Sequence, residues 1–252
     1  MPAHDTPAPE ILLHANADEV AAALAARLLA RLTELQTGSR VPQLALTGGR
    51  IATKAYGRLA AEGRSSAVDW SRVELWWGDE RFVPADDDDR NAKQALDLLE
   101  GPLKLPRDRV HVMPASDGGV NLDEAAAGYA AELGSRAFDI CLLGLGPDGH
   151  VASLFPEHPS SHAEGTVIAV RNSPKPPPDR ISLTLDVINR SAEVWFLVSG
   201  KDKADAAALA LQGAGPVQVP GAGARGRMRT LWLIDADAAG RLPPDLVQRG
   251  RI

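Results

Sequence analysis

Short apolar runs along this chain alternate with longer stretches in which apolar residues recur every three or four positions. A short apolar run bounded by turn residues predicts a buried strand, whereas the longer spacing predicts an amphipathic helix. Strands and helices that alternate in this way are typical of parallel strands joined by crossover helices. The pattern therefore predicts an α/β fold with a mostly parallel sheet flanked by helices.

The predicted elements follow one another without an internal repeat. The strands are expected at residues 11–14, 44–46, 73–77, 110–113, 140–143, 167–170, 181–185, 194–198 and 231–234. The helices are expected at residues 17–35, 52–61, 91–99, 122–133 and 203–211. Asn16 is the expected N-cap of the first helix, because its side chain can accept hydrogen bonds from the unpaired N–H groups there.

One domain accounts for this succession, and we expect it to span residues 11–252. Residues 1–10 hold three prolines and two acidic residues, which predicts a disordered tail. They lack the basic start and apolar middle of a signal peptide. Two stretches rich in proline and glycine, residues 173–178 and 213–226, look like loops that could border a substrate cleft rather than linkers between domains.

Composition and charge narrow the classes of function. The formal net charge is −6, whereas a protein that neutralises a nucleic-acid backbone needs a basic face, so we expect no nucleic-acid partner. No apolar run approaches the roughly 20 residues of a membrane span, so we expect no membrane partner. Cys141 is the only cysteine and lies in an apolar run, which predicts a buried, unreactive thiol and a reducing, cytoplasmic location.

Polar residues and glycines cluster where four of the apolar runs end. The four segments are Thr47-Gly48-Gly49-Arg50, Asp79-Glu80-Arg81, the turn with Asp148 and His150, and residues 200–203, which end with Lys203. Because the carboxyl ends of parallel strands meet at one edge of a sheet, we expect these segments to converge although they are far apart in sequence. A ligand site at that edge follows from their convergence.

Several of these residues suit a phosphate group. The turn at 47–49 precedes a helix, so its backbone N–H groups can hold an anion, although a tight turn without a ligand has the same sequence. It is not a Walker A loop, because no Lys-Ser/Thr pair follows the glycines. Arg81 either pairs with the acids before it or presents its guanidinium to a phosphate. Lys203 opposes the helix dipole unless an anion compensates it, and Arg180 is a further cationic candidate.

The turn after the predicted strand at 140–143 carries the candidate chemistry. An imidazole is the side chain whose ordinary titration range lies near neutrality, and a carboxylate two residues from His150 can orient its ring, so the pair can act as a general base. Gly144, Gly146 and Gly149 free the backbone of this turn for a close approach to a ligand.

Three other interpretations of the same turn meet difficulties in the sequence. The glycines match G-x-G-x-x-G, but a dinucleotide site needs a long helix next, and Pro156 ends any helix early. A nucleophilic Ser153 lies too close in sequence to its partners for the usual geometry of a catalytic triad. A metal site with His158 and His162 lacks a matching set of acids or cysteines.

Five motifs, in this order, resemble the 6-phosphogluconolactonases of the pentose phosphate pathway. They are LALTGG, WWGDERFVP, GLGPDGHVASLFP, RISLTL and FLVSGKDKA, within a similarity that covers residues 12–235. The resemblance implies a modified Rossmann-like sheet, similar to that of glucosamine-6-phosphate deaminases and ribose-5-phosphate isomerases. The deaminases share the D-E pair and the G-x-G-x-D-G-H turn, but they continue with phenylalanine, asparagine and glutamate where this chain has residues 153–156, SLFP.

The resemblance implies hydrolysis of 6-phospho-D-glucono-1,5-lactone to 6-phosphogluconate, without a metal or an organic cofactor. It implies His150 as the general base on water and Asp148 as the group that orients it. It implies Arg81 and Lys203 as ligands of the 6-phosphate. The expected substrate-binding set is completed by Thr47, Gly48, Gly49, Arg50, Asp79, Gly146 and Arg180. Backbone N–H groups of the turn at 144–149 are our candidates for the oxyanion site.

The sequence departs from the family pattern at two places. Arg50 stands where the family commonly has a serine, and it either reinforces phosphate binding or points outward. Arg90 stands before Asn91 where the family has a second serine, so contacts of that serine do not carry over.

Two further functions stay open at this point. One is a glucosamine-6-phosphate deaminase-like isomerase, which the shared turn and the D-E pair favour. The other is a non-catalytic sugar-phosphate sensor, against which the intact Asp148 and His150 speak. For any of these we expect a small sugar-phosphate ligand and a monomer or weak homodimer.

Overall fold

The computed structural model describes residues 7–249. Its strands are β1 Glu10–His14, β2 Gln43–Leu46, β3 Glu74–Trp77, β4 Asp79–Arg81, β5 Ile140–Gly144, β6 Val167–Val170, β7 Arg180–Leu183, β8 Glu193–Val198 and β9 Arg229–Asp235. Its helices are α1 Ala17–Leu35, α2 Arg50–Gly63, α3 Asn91–Leu103, α4 Leu122–Leu133, α5 Leu185–Ile188, α6 Ala204–Leu211, α7 Pro220–Gly223 and α8 Pro244–Arg249.

Two sheets organise the described chain. Six strands form a parallel sheet in the order β1-β9-β8-β5-β2-β3. Three strands form a smaller antiparallel sheet in the order β4-β7-β6. The predicted α/β class with a mostly parallel sheet is therefore confirmed, although β6 and β7 belong to the second sheet and not to the parallel one.

The large sheet is buried on both faces, and this explains the continuous apolar runs of its central strands. In β5, Ile140 and Leu142 pack on the side of α1, α2 and α3. Cys141 and Leu143 point to the opposite side, where α4 and α6 cover the sheet. Burial raises the pKa of the Cys141 thiol to about 12, which agrees with the expected unreactive cysteine.

The first helix shows how local signals fix an element. Its bounds, Ala17–Leu35, are those predicted, and the Asn16 side chain accepts hydrogen bonds from the N–H groups of Asp18 and Glu19 at 3.0 and 3.1 Å. Other helix ends differ from the prediction. α2 begins at Arg50, α3 continues to Leu103, and α6 begins at Ala204, after a short 3₁₀ turn that contains Lys203.

Two strand predictions are wrong in part. Residues 110–113 form no strand; only Val110 makes a bridge, to Leu75, before the chain turns away at Pro114. The predicted strand at 181–185 ends at Leu183, because Thr184 caps α5 through a hydrogen bond from the Val187 N–H. The short polar strand β4 was not predicted.

The predicted tail lies partly outside the described residues, which begin at residue 7. β1 begins at Glu10, and the Glu10 carboxylate accepts hydrogen bonds at 2.6 and 2.9 Å from Arg229, which starts β9. That residues 11–252 form a single domain stays a prediction. In the part of the chain that the structure describes, no helix is both long and apolar enough to cross a membrane.

Candidate active site

A cavity of about 610 Å³ lies at the carboxyl ends of β2, β5 and β8. All four segments that the sequence predicted to converge contribute to its wall. Of the expected site residues, the cavity is lined by Thr47, Gly48, Gly49, Arg50, Asp79, Arg81, Gly146, His150, Arg180 and Lys203. Asp148 lies directly behind His150. The parallel sheet thus brings three of the predicted segments, 47–50, 148–150 and 200–203, to one edge. Asp79, Arg81 and Arg180 reach the same cavity from β4 and β7 of the antiparallel sheet.

His150 and Asp148 form a hydrogen-bonded pair. His150 Nδ1 lies 2.6 Å from Asp148 Oδ1, and the ring packs 4.7 Å from the ring of Phe155. Partial burial alone would raise the pKa of Asp148, but the hydrogen bond and charge of His150, with the charge of Lys175, hold it well below its usual range. Within the described residues no protein group bonds to His150 Nε2. The arrangement orients the ring and leaves Nε2 available to a water molecule.

The backbone of this turn is occupied with its own structure. The Gly146 N–H donates to His150 O and the Gly149 N–H to Gly146 O, both at 2.9 Å, while the Gly144 N–H donates to Thr47 Oγ1 at 3.3 Å. The three glycine N–H groups of this turn therefore already have partners, and that other backbone N–H groups of residues 144–149 form the oxyanion site stays a prediction. Gly146 serves the pair sterically instead, because a Cβ there would overlap both His150 Nδ1 and Asp148 Oδ1.

The turn at the start of α2 is built differently. Gly49 adopts a φ of +100° and is the N-cap of the helix, but it offers no side-chain cap. None of the hydrogen bonds among the described residues uses the backbone N–H groups of Gly48, Gly49 or Arg50. Tyr56 fixes the preceding residue, since its hydroxyl accepts from the Thr47 N–H and donates to Thr47 O. Free N–H groups at a helix N-terminus favour an anion.

Arg81 faces this turn with part of its guanidinium unused. Its Nη1 donates to Asp89 O at 2.9 Å and to Asn91 Oδ1, while its buried Nε has no partner among the described residues. The guanidinium makes no ion pair with Asp79 or Glu80 in the described chain, although the Arg81 backbone N–H donates to Glu80 Oε1 at 2.8 Å. Asp79 Oδ2 accepts from Ser153 Oγ at 2.7 Å.

Glu80 is the second of these acids and holds the start of α3. Its fully buried carboxylate accepts from the N–H groups of Asn91 and Ala92 at 2.7 and 2.8 Å, and Arg90 lies 3.8 Å away. Desolvation raises the pKa of Glu80 although these partners favour the charged form. Arg90 also donates to Met113 O at 2.6 Å. It therefore has a structural role where the family pattern has a serine.

The other cationic side chains at the cavity differ in burial and in the partners they already have. Arg50 is exposed at the rim of the cavity, and it makes no ion pair among the described residues. Lys203 is largely buried and lies 3.3 Å from Asp202. Arg180 is nearly fully buried and donates to backbone carbonyls of the loop at 173–178. Arg180 is thus engaged with the loop as well as lining the cavity.

Sequence reasoning missed Lys175. Its Nζ lies 3.1 Å from His150 Nδ1 and 3.2 Å from Asp148 Oδ1. The sequence predicts only a proline-rich loop at 173–178 that could border the cleft, and Lys175 and Pro176 do line the cavity. The other stretch, residues 213–226, supplies none of the lining residues and instead supports the turn from behind, where Gly221 N–H donates to Gly149 O at 2.9 Å.

The competing readings of the turn find no support in its geometry. Ser153 is buried and donates to Asp79 rather than to His150. His158 bonds to Ser160 Oγ and Arg171 O at 2.9 and 3.0 Å. In the described part of the chain, no group of three or more His, Cys, Asp or Glu side chains is placed to hold a metal ion.

Comparison with known proteins gives a consistent result. A family model described as glucosamine-6-phosphate isomerases/6-phosphogluconolactonase matches residues 15–232. The chain is 49% identical to a 6-phosphogluconolactonase of Streptomyces coelicolor over 94% of this chain and 96% of that protein. It is 47% identical to a 6-phosphogluconolactonase of Mycobacterium tuberculosis over 90% and 96% of the two chains.

Solved structures share the fold. A 6-phosphogluconolactonase from Thermotoga maritima matches with a TM-score of 0.80 and 27% identity, covering 90% of this chain and 99% of that one. A monomeric glucosamine-6-phosphate deaminase matches with a TM-score of 0.77 and 20% identity, covering 92% and 99%. At that identity the second likeness concerns the fold alone.

Proposed function

The chain belongs to the glucosamine-6-phosphate isomerase/6-phosphogluconolactonase family, and on that premise we propose that it hydrolyses 6-phospho-D-glucono-1,5-lactone to 6-phosphogluconate in the oxidative pentose phosphate pathway. One observation carries the proposal. His150 Nδ1 is held by Asp148, Nε2 has no partner among the described residues, and the ring lines a cavity whose wall carries several cations. The relatives of nearly equal length that carry this activity in their names support it.

The proposed reaction needs one base and one water. A δ-lactone is an activated ester, so His150 Nε2 removes a proton from water while the water oxygen attacks the lactone carbonyl carbon. The carbonyl oxygen takes up negative charge in the tetrahedral intermediate. When the bond between that carbon and the ring oxygen breaks, the imidazolium returns its proton to the ring oxygen, which becomes a hydroxyl. Asp148 stabilises the imidazolium in between.

In this proposal the 6-phosphate of the substrate binds at the start of α2. The N–H groups of Gly48 and Gly49 have no partner among the described residues. Together with the guanidinium of Arg81 and the ammonium of Lys203, they supply donors and positive charge on one side of the cavity. Charge-assisted hydrogen bonds of this kind are the strong ones. Binding the distant phosphate orients the lactone ring toward His150, and orientation is worth a large part of the rate enhancement.

We also propose that the chain works in the cytoplasm as a monomer or weak homodimer. Few large apolar side chains are exposed in the described residues: Val112, Val120, Leu209, Val217 and Met228. Obligate subunit interfaces are more apolar than the rest of a protein surface. Light scattering across a concentration series checks this, and a stable dimer at low concentration would contradict it.

One assay tests the function against its alternatives. The lactone is made in situ from glucose 6-phosphate with a dehydrogenase, and its decay is compared with the spontaneous rate. We expect clear acceleration by the wild-type chain and an acceleration lower by about 10²- to 10⁴-fold by His150→Asn. Ammonia release from glucosamine 6-phosphate, measured in parallel, would instead indicate a deaminase. Sugar-phosphate binding without either reaction would indicate a sensor.

A further inference from the structure

A loop brings a lysine to the catalytic pair from outside the turn. Residues 173–178 close on themselves, because the Ser173 N–H donates to Pro178 O at 2.9 Å and Ser173 Oγ donates to Lys175 O at 2.9 Å. The Lys175 N–H donates back to Ser173 Oγ at 3.3 Å. The backbone of Lys175 is therefore fixed on the loop side, and its side chain extends to the turn.

Arg180 holds this loop against the site. Its Nε donates to Pro177 O at 3.2 Å, and its Nη2 donates to Lys175 O and Pro176 O at 3.2 and 3.1 Å. The same guanidinium lies 5.6 Å from the centre of the Phe155 ring, which packs on the His150 ring. Desolvation lowers the pKa of Arg180, and the backbone carbonyls compensate its buried charge. Loop and turn thus share one buried anchor.

Lys175 completes a triangle with the pair. Its Nζ lies 3.2 Å from Asp148 Oδ1, the oxygen that also bonds His150 Nδ1, and 3.1 Å from that nitrogen. Burial lowers the pKa of Lys175, although Asp148 acts in the opposite direction. The ammonium is thus a hydrogen-bond donor to the orienting carboxylate and a positive charge beside the imidazole.

We propose that Lys175 is a positioning residue for the reaction: it holds Asp148 Oδ1 in line with His150 Nδ1, and its charge opposes the uptake of a second proton by the ring. The inference rests on the proposed function, in which a neutral His150 is the base. The ionisable groups in contact with the ring are Asp148, from its own turn, and Lys175, from the loop. The ring of Phe155 packs on the imidazole. In the described chain the positive charges of Arg180 and Lys203 lie farther away and act on Lys175.

The test compares Lys175→Met with Lys175→Arg. We expect Lys175→Met to lower kcat about tenfold and to change KM less than about twofold. The reason is that the substitution removes a hydrogen-bond donor of the Asp148 carboxylate and removes no ligand of the substrate. Removal of the positive charge should also move the acid limb of the kcat/KM profile to higher pH by about half a unit to one unit. Lys175→Arg retains the charge and should leave the acid limb in place. Lys201→Met, at an exposed lysine that does not line the cavity, is the matched control.

Each other outcome overturns the inference. A raised KM with an unmoved acid limb would make Lys175 a phosphate ligand. A lower kcat with an unmoved acid limb would reduce it to a structural contact, and wild-type behaviour would remove it from the site. Proton NMR titration of His150 in the same variants measures the shift without turnover. The NMR titration separates failure of this inference from failure of the proposed lactonase activity, because inactivity of the wild type would reveal the latter. Arg180→Lys loosens the loop and should shift the His150 titration in the same direction as Lys175→Met.

Discussion

Two glycine-rich turns follow neighbouring parallel strands, and they use their glycines in opposite ways. After β2, the N–H groups of Gly48 and Gly49 are unpaired among the described residues, and the missing Cβ of Gly48 makes room for Asn91 from α3. After β5, the N–H groups of Gly146 and Gly149 bond within their own turn, and the missing Cβ of Gly146 makes room for Asp148 and His150 of that turn.

The difference teaches that a glycine at the end of a strand does not by itself indicate a phosphate site. What decides is where the backbone donors go. Unpaired donors at a helix N-terminus bind an anion directly. Donors that bond within the turn make it rigid, so that it can hold side chains for chemistry. The first turn should therefore govern substrate binding and the second the chemical step, and the predictions below test that division.

The largest effect is expected at the imidazole. His150→Asn removes the base while it keeps a side chain of similar size, so kcat should fall by about 10²- to 10⁴-fold with KM nearly unchanged. Steady-state rates on lactone made in situ measure both constants. Activity close to that of the wild type would show that the second turn does not carry the chemical step.

The next largest effects are expected when one methyl group is added to a glycine of each turn. A Cβ in Gly146→Ala overlaps the Asp148–His150 pair and should lower kcat by about tenfold to a hundredfold, because small displacements of catalytic groups are costly. A Cβ in Gly48→Ala overlaps Asn91, which bonds Arg81, and should chiefly raise KM.

Gly57→Ala is the control for this pair of substitutions, since a Cβ there meets open space within α2. It should leave both constants alone and stabilise the helix by about 1 kcal/mol. If Gly48→Ala and Gly146→Ala changed kcat and KM in the same proportion, the proposed division between the turns would be wrong.

An effect of similar size, but on KM, is expected at Arg81 on the binding side. Arg81→Met should raise KM by about tenfold to a hundredfold, because one or two charge-assisted hydrogen bonds to phosphate are lost, while kcat changes little. Inorganic phosphate should raise the Tm of the wild type, and calorimetry should show a smaller rise for Arg81→Met. A fall in kcat at constant KM would place Arg81 with the second turn.

The smallest effect concerns acid stability. Since the folded-state pKa of Asp148 lies below its ordinary value of about 3.9, its carboxylate stabilises the fold above that pH, and the contribution is lost as the pH falls through the lowered pKa. Asp148→Asn should therefore lower Tm by about 2 °C near pH 6, and the difference should narrow below about pH 4. Thermal scans across this range check it; a constant difference would show that the bonds of Asp148 do not stabilise the turn.

Local signals predicted much of this fold. The bounds of α1 were predicted because Asn16 caps the helix through bonds that span only a few residues. The convergence of the segments after β2, β5 and β8 followed from the geometry of a parallel sheet, which requires no knowledge of the side-chain contacts. Asp79–Arg81 also lines the cavity, but it does so as a strand of the antiparallel sheet.

Contacts between distant segments escaped the sequence. Lys175 reaches Asp148 across 27 positions from a loop without periodicity, so no pattern marks it. β4 is a short polar strand whose acids are buried only because Ser153 and the start of α3 supply their hydrogen bonds. Val110 to Met113 has the apolar character of a strand, but it meets the edge strand β3 at a single bridge. In each case the partner, rather than the segment, decides the outcome.

The pairing of β1 with β9 also sets an order of events during synthesis. In the described chain β1 has no neighbour in the sheet except β9, so β1 leaves the ribosome long before its partner exists. β2, β3, β5 and β8 can assemble earlier, since all are complete by Val198. Until residues 229–235 emerge, the nascent chain keeps β1 unpaired and the edge of β8 open. An open apolar edge is a template for pairing with another chain, so this interval is when the growing polypeptide most needs a chaperone.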